Sequence, residues 1–218
     1  MNNFISTNKE VVQRLSRYKS VLHKLKSLGF VKVFSDNLAD ALGISPALVR
    51  KDFSVFGLSG NKRGGYKIDD LVGQLDTILG KDEPRNAIIL GCGKIGTALM
   101  NYKGFAHERI RIVAGFDVNP AKLDPAAPIP MLDMAELDAV IAREQARIAI
   151  MTVPEAAANH TLELLVAKGI RGVLNFAPVA LKSSAGCIIH NINIAMEIEN
   201  LFHLVRFAEK ERIRETEV

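Results

Sequence analysis

An apolar run, Ala87–Leu90, opens directly onto Gly91-Cys92-Gly93-Lys94-Ile95-Gly96, and a helix-favouring stretch, Thr97–Tyr102, follows. A second apolar run, Arg111–Phe116, ends on Asp117. Strand, glycine turn, helix, strand and acid in that order suit a dinucleotide, because each residue type has its own task. Gly91 permits the sharp turn off the strand, and Gly93 lets the backbone approach a pyrophosphate with no Cβ in the way. Gly96 lets the helix pack close to the sheet, while the helix N-terminus offers N–H groups and a positive dipole end to the phosphates. Asp117 can accept hydrogen bonds from a ribose diol and would repel a 2′-phosphate, which favours NAD(H) over NADP(H). Cys92 has two readings: a thiolate stabilised at a helix N-terminus and open to oxidation, or a small residue tolerated in the turn.

A second constellation lies near the N-terminus. A helix is expected from Ser35 as N-cap through Leu42, stopped by Gly43, with Ile44 as a buried turn residue. The next helix starts with Ser45 as N-cap and Pro46 at its first position. Helix, short glycine turn, helix is the helix-turn-helix pattern, whose second helix enters the major groove. Its leading residues here are Ser45, Ala47, Arg50 and Lys51. An arginine can contact guanine bidentately, and a lysine suits phosphate better. Gly57–Tyr66 then has glycines at both ends and Lys62-Arg63 at its tip, the pattern of a basic wing reaching phosphates or the minor groove. Residues 1–81 carry 13 Lys and Arg against 7 Asp and Glu, whereas residues 82–218 carry 15 against 17. The basic third points to a polyanionic partner.

These groups need elements to hold them. Residues 8–29 form an amphipathic helix with Asn8 as N-cap and Gly29 as its stop, apolar at Val11, Leu15, Tyr18, Leu22 and Leu25. Another helix covers 67–80, and 80–84 is a linker. Beyond Asp117, residues 119–130 read as loop with a short edge strand near Ile129. Helix 134–145, strand 147–153, helix 155–168, strand 172–176 and a last strand 187–192 follow. This alternation predicts an α/β fold: an N-terminal winged-helix domain (1–81), then a Rossmann-type, doubly wound parallel sheet (84–193). Ligands bind at the carboxyl ends of such strands, which places Thr152, Val153 and Pro154, and Asn175, Phe176, Ala177 and Pro178, beside the glycine turn. The tail, 194–218, is a helix with an apolar stripe at Ile194, Ile198, Leu201, Leu204, Val205 and Ala208. It either packs on its own sheet or covers a second subunit, and palindromic DNA sites favour a homodimer.

Two cysteines far apart, Cys92 and Cys187, make neither a disulfide framework nor a metal-ligand set. The N-terminal stretch has neither the basic nor the apolar region of a secretory signal, and no apolar run is long enough to span a bilayer, so a cytoplasmic protein without membrane contact is expected. An NAD-dependent oxidoreductase would need an acid or base near the nicotinamide. The candidates are His107, in a loop, and His160, on a helix near the Val153-Pro154 end, and without a base–partner constellation no catalytic residue is assigned.

With both parts in view, the chain resembles the redox-sensing transcriptional repressors called Rex. The resemblance runs from about residue 9 to 207 and rests on Pro46–Phe53, Phe56-Gly57, Lys62–Tyr66, the glycine turn through Phe105, Gly115–Val118, Thr152–Pro154 and Gly169–Val179. It implies homodimers that exchange their C-terminal helices, bind palindromic operators when NADH is scarce and release them when NADH rises. Arg50 and Lys51 would then hold DNA, the glycines and Asp117 the cofactor, and Asn175–Pro178 would lie near the nicotinamide. The resemblance also implies a polar switch network of Arg14, Tyr102 and Asn193. The family often has an aspartate where this chain has Asn193, so the charge facing Arg14 is missing. A relative that binds DNA but senses another nucleotide, or none, remains the alternative.

Overall fold

The computed structural model describes residues 2–58, 64–80, 85–182 and 186–216. The chain divides into two compact units, Met1–Glu83 and Pro84–Val218.

In the first unit, α1 (Asn2–Ser27) buries Leu15, Tyr18 and Leu22. It begins at Asn2, so Asn8 lies inside the helix and does not cap it. It ends as expected: Gly29 takes φ 88°, and Phe30 N–H donates to Leu25 C=O at 3.1 Å, closing the last turn. A two-residue strand not anticipated from sequence, β1 (Lys32–Val33), comes next. It carries extended backbone up to Phe34, so Phe34 is the N-cap of α2 (Ser35–Leu42) and Ser35 is already helical. Asn37 Oδ1 accepts the Phe34 N–H at 2.8 Å. Gly43 takes φ 65° and ends α2. Ser45 caps α3 (Pro46–Val55) as predicted, its Oγ accepting Leu48 N–H at 3.2 Å. Then β2 (Tyr66–Lys67) pairs antiparallel with β1, and α4 (Ile68–Ile78) closes the unit. The expected wing tip, Asn61, Lys62 and Arg63, and linker residues 81–84 lie outside the described residues.

The core of this unit contains a carboxylate. Asp52, on the inner side of α3, accepts Arg14 Nε at 2.7 Å, Arg14 Nη2 at 2.9 Å and Tyr18 Oη at 2.8 Å. Phe53 stands edge-on to Tyr18 and Tyr66, with ring centroids 5.4 and 5.2 Å away. Burial alone would push the Asp52 carboxyl up, but the hydrogen bonds from Arg14 and Tyr18 outweigh it and hold the group below its usual value.

In the second unit the elements are β3 (Arg85–Leu90), α5 (Lys94–Met100), α6 (Gly104–His107), β4 (Ile110–Asp117), β5 (Met131–Asp133), α7 (Leu137–Glu144), β6 (Ile148–Met151), α8 (Glu155–Ala167), β7 (Gly172–Asn175), β8 (Ile188–Asn191) and α9 (Ile194–Thr216). The sheet order is β5-β4-β3-β6-β7-β8, and every neighbouring pair is parallel. Along β3, Ile88 and Leu90 join the core under α7 and α8, whereas Ala87 and Ile89 join Met100 of α5 on the other face. The central strand β3 is thus covered on both sides, as its near-continuous apolar sequence requires. His107 ends the short helix α6, not a loop. The edge strand falls at Met131–Asp133, where it pairs in register with Gly115–Asp117, and Ile129 packs ahead of it beside Met131.

The apolar stripe of α9 does not pack on its own sheet. Ile194, Ile198, Leu201, Leu204 and Val205 are all exposed, as are Met196, Phe202 and Phe207. No described helix is long and apolar enough to cross a membrane.

Asp52→Asn leaves the half-buried Arg14 short of its counter-charge, and a loss of about 2 kcal/mol of stability is expected at pH 7. Because the folded-state pKa of Asp52 is depressed, its contribution is present above the unfolded value near 4 and lost as pH falls through the folded one. Urea unfolding of both proteins at pH 7 and below about pH 4 should show the gap between them narrowing in acid.

Candidate functional site

The strand register sets the site. Phe116, Leu90, Met151 and Asn175 stand side by side across β4, β3, β6 and β7, so the residues that follow them emerge along one edge of the sheet. Those residues are Asp117, Gly91, Thr152 and Phe176. With β3 central, the strand order is that of a nucleotide-binding sheet, and the crevice opens where β4 and β6 part company.

Three bonds shape the glycine turn. Gly91 N–H donates to Phe116 C=O at 2.7 Å, Thr152 Oγ1 donates to Gly91 C=O at 2.7 Å, and Cys92 N–H donates to Asp117 Oδ2 at 2.8 Å. Gly91 has φ 92°, a region side chains avoid. A Cβ on Gly96 would stand 2.0 Å from Gly91 O, so the close approach of helix to turn excludes any other residue. A Cβ on Gly93 would meet nothing within 4 Å, which leaves its backbone open for a pyrophosphate to approach.

A cavity of about 500 Å³ follows this edge. Of the residues expected at a cofactor, Gly91, Gly93, Ile95, Asp117, Thr152, Val153, Pro154, Phe176 and Pro178 line it. Cys92, Gly96, Asn175 and Ala177 are buried behind the wall, and Lys94 points to solvent, so their part in shaping the cavity is indirect.

Asp117 carries more bonds than its motif suggests. Besides Cys92 N–H, its carboxylate accepts Asn119 N–H at 2.9 Å and Lys122 Nζ at 2.8 Å. Burial pushes the Asp117 carboxyl up, but Lys122 and the two backbone N–H groups hold it below the usual range. The expected repulsion of a 2′-phosphate is therefore partly offset by the paired ammonium of Lys122. Lys122, on a short turn at Pro120–Lys122, was not singled out in the sequence, although its place five residues after the acid was the available signal. At the other end of the cavity the wall is Thr152, Val153, Pro154, Ala157, Thr161, Phe176 and Pro178, with no titratable side chain.

The thiolate reading of Cys92 does not hold. Its thiol is buried, and burial followed by the Asp117 charge pushes its pKa up.

In the first unit, Ala47, Arg50, Lys51 and Ser54 form one exposed face of α3, while Val49, Asp52 and Phe53 form its buried face. Ser45 is exposed at the helix start. Among the described residues Arg50 has only a loose ion pair, with Asp36 at 3.8 Å, so its guanidinium faces solvent. Ser54 completes the face and was not singled out.

The members of the expected switch network have local partners. Arg14 is bound bidentately to Asp52, so the absence of an acid at position 193 does not leave it unpaired. Tyr102 is exposed and stands edge-on to Phe105, with ring centroids 5.2 Å apart. Asn193 caps α9, its Oδ1 accepting Met196 N–H at 3.1 Å, a task asparagine performs as well as aspartate.

Residues 82–179 match the family described as "CoA binding domain", and residues 7–54 match the one described as "Putative DNA-binding protein N-terminus". The redox-sensing transcriptional repressor Rex of Desulforamulus reducens is 34% identical over 91% of this chain and 95% of its own. The Rex of Bacillus velezensis is 35% identical over 89% of this chain and 90% of its own. The crystal structure of RSP in complex with β-NAD+ and operator DNA superposes with a TM-score of 0.83 at 29% identity, covering 96% of both chains. RSP in complex with β-NADH gives a TM-score of 0.79, also at 29% identity, covering 94% of this chain and 96% of the other. With such similarity along nearly its whole length, added to a nucleotide-type sheet and a separate helix-turn-helix unit, the chain belongs to the Rex family of redox-sensing transcriptional repressors.

Proposed function

We propose that this protein is a repressor that binds palindromic operator DNA and releases it when NADH occupies the second unit. The observation that carries the reading is the cavity itself. It offers an acid, an open glycine backbone and an apolar far end, the sequence of surfaces that a ribose, a pyrophosphate and a nicotinamide need. Among the described residues its far end is lined by Thr152, Val153, Pro154, Ala157, Thr161, Phe176 and Pro178, a surface suited to holding a nicotinamide. RSP, the similar repressor, was crystallised with both forms of the cofactor and with operator DNA.

In this reading, Gly91, Gly93 and the start of α5 hold the pyrophosphate, and Asp117 holds the adenosine ribose. Thr152–Pro154 and Phe176–Pro178 enclose the nicotinamide. Ser45, Ala47, Arg50 and Lys51 face the major groove, and Lys62 and Arg63 contact phosphates or the minor groove. The exposed stripe of α9 covers a second copy of the chain, since a repressor of palindromic DNA needs two reading heads. Residues 1–81, 84–193 and 194–218 are the DNA-binding, cofactor-binding and dimerisation parts. Arg14, Tyr102 and Asn193 form a switch network in the dimer, with the capping role of Asn193 retained and its charge absent. DNA binding places the protein in the cytoplasm.

NADH titrated into the protein and followed by nicotinamide emission should bind tightly, with NAD competing more weakly, and saturating NADH should release operator DNA. By linkage, operator DNA must weaken NADH binding by the same factor. Absence of NADH binding would overturn the redox reading.

Arg50→Ala should lose about 1–3 kcal/mol of operator binding and relax sequence preference, as loss of a base contact does, while NADH affinity stays unchanged. Gel-shift and emission titrations on one preparation separate the two effects.

Asp117→Ala should weaken NADH and lower its preference over NADPH by about tenfold, whereas Lys122→Met should raise that preference by removing the cation beside the ribose. Competition titrations with the two reduced dinucleotides read both ratios.

A further inference from the structure

The row of strand ends that carries the cavity continues one strand beyond it. Asn175 on β7 is paired in register with Asn191 on β8, and their side chains meet, Asn175 Nδ2 donating to Asn191 Oδ1 at 2.9 Å. Asn175 is fully buried. Its Nδ2 also donates to Val179 C=O at 2.8 Å, and its Oδ1 accepts Ala177 N–H at 2.9 Å. Asn191 stands at the open edge and pairs with Leu181 as a neighbouring strand would. Its Oδ1 accepts Leu181 N–H at 3.0 Å, and its Nδ2 donates to Leu181 C=O at 3.0 Å. The two carboxamides therefore grip the segment 176–181 at its start, middle and end. That segment is neither helix nor strand, and left to itself it would sample many conformers. Its Phe176 and Pro178 form one wall of the cavity. Two residues after Asn191, Asn193 caps α9.

We propose that Asn191 is a positioning residue for the cofactor: it fixes the 176–181 wall against the strand that leads into α9, and so sets affinity for the nicotinamide half. The proposal rests on the NADH reading above and adds which residue tunes it. The wall lies on the β6–β7 side of the central strand, opposite Asp117 and Lys122, so the adenosine half of a dinucleotide does not depend on it. Asparagine suits the task because one short side chain supplies both an acceptor and a donor to the same peptide. Aspartate keeps the acceptors but has no N–H for Leu181 C=O, and alanine has neither.

The test compares the full-length wild type, Asn191→Ala and Asn191→Asp for two ligands. NADH is followed by its emission and ADP-ribose, which lacks the nicotinamide, by calorimetry. For Asn191→Ala, NADH should bind about tenfold more weakly while ADP-ribose stays within about twofold. Asn191→Asp should show an intermediate loss for NADH and none for ADP-ribose. Equal losses for both ligands would mean general damage to the sheet edge and overturn the positioning role. NADH affinity unchanged in both variants would overturn it as well. A wild type that takes ADP-ribose but not NADH would overturn the redox reading itself, and this inference with it.

Discussion

Between Leu90 and Gly96 the backbone turns from a buried strand into a helix while leaving the Gly93 backbone open, and the rest of the second unit is arranged so that this is possible. The turn cannot satisfy its polar groups internally, so its neighbours do so from both sides. Phe116 C=O and the Asp117 carboxylate take N–H groups from it on the β4 side, and Thr152 gives its hydroxyl to it on the β6 side. Each of these partners lies within one residue of the last residue of its strand, so their alignment depends on the parallel register of three strands. A one-residue slip in either pairing would turn the partner to the opposite face of the sheet. The apolar, two-sided burial of β3, β4 and β6 is thus what fixes the polar geometry of the turn.

Both units place a carboxylate in a buried position and pair it with a cation. Asp117 is bound by Lys122 and two backbone N–H groups, and Asp52 by Arg14 and Tyr18. A buried charge without such partners would cost several kcal/mol or take up a proton. The consequences differ with geometry. Arg14 grips Asp52 bidentately, which locks α3 to α1 and leaves Arg50 and Lys51 on the outer face of α3 with a fixed aim. Lys122 reaches Asp117 with a single flexible ammonium that is partly exposed, so a ligand hydroxyl can compete for the carboxylate.

Much of this was legible in the sequence, because periodicity and caps are local. The glycine turn, the strand alternation, the Ser45-Pro46 helix start and the stop at Gly29 depend on neighbouring residues alone, and the structure places them as read. What escaped depended on pairing at a distance. The strand β1 is two residues long and exists only through its bonds to β2, more than thirty residues further along the chain. It moved the cap of α2 from Ser35 to Phe34. Lys122, Asp52 and Asn191 each look like ordinary surface polar residues in sequence, and acquire their roles only when folding brings them to a partner. For Cys92 the sequence offered a helix N-terminus, and the structure adds burial and a carboxylate that act in the opposite sense.

The helix α9 shows how the cofactor edge and the apolar tail are mechanically linked. Its N-cap, Asn193, follows Ile192, whose N–H is bound to Asn175 C=O at 2.8 Å, so the helix starts on the last rung of the sheet's ligand-binding edge. From there it presents Ile198, Leu201, Phe202 and Leu204 to solvent, an apolar surface that an isolated chain has no means of covering. Movement of the 176–181 wall would be felt at Asn175 and Asn191 and, two residues on, at the helix cap. An isologous contact through α9 would repeat that displacement symmetrically in both copies.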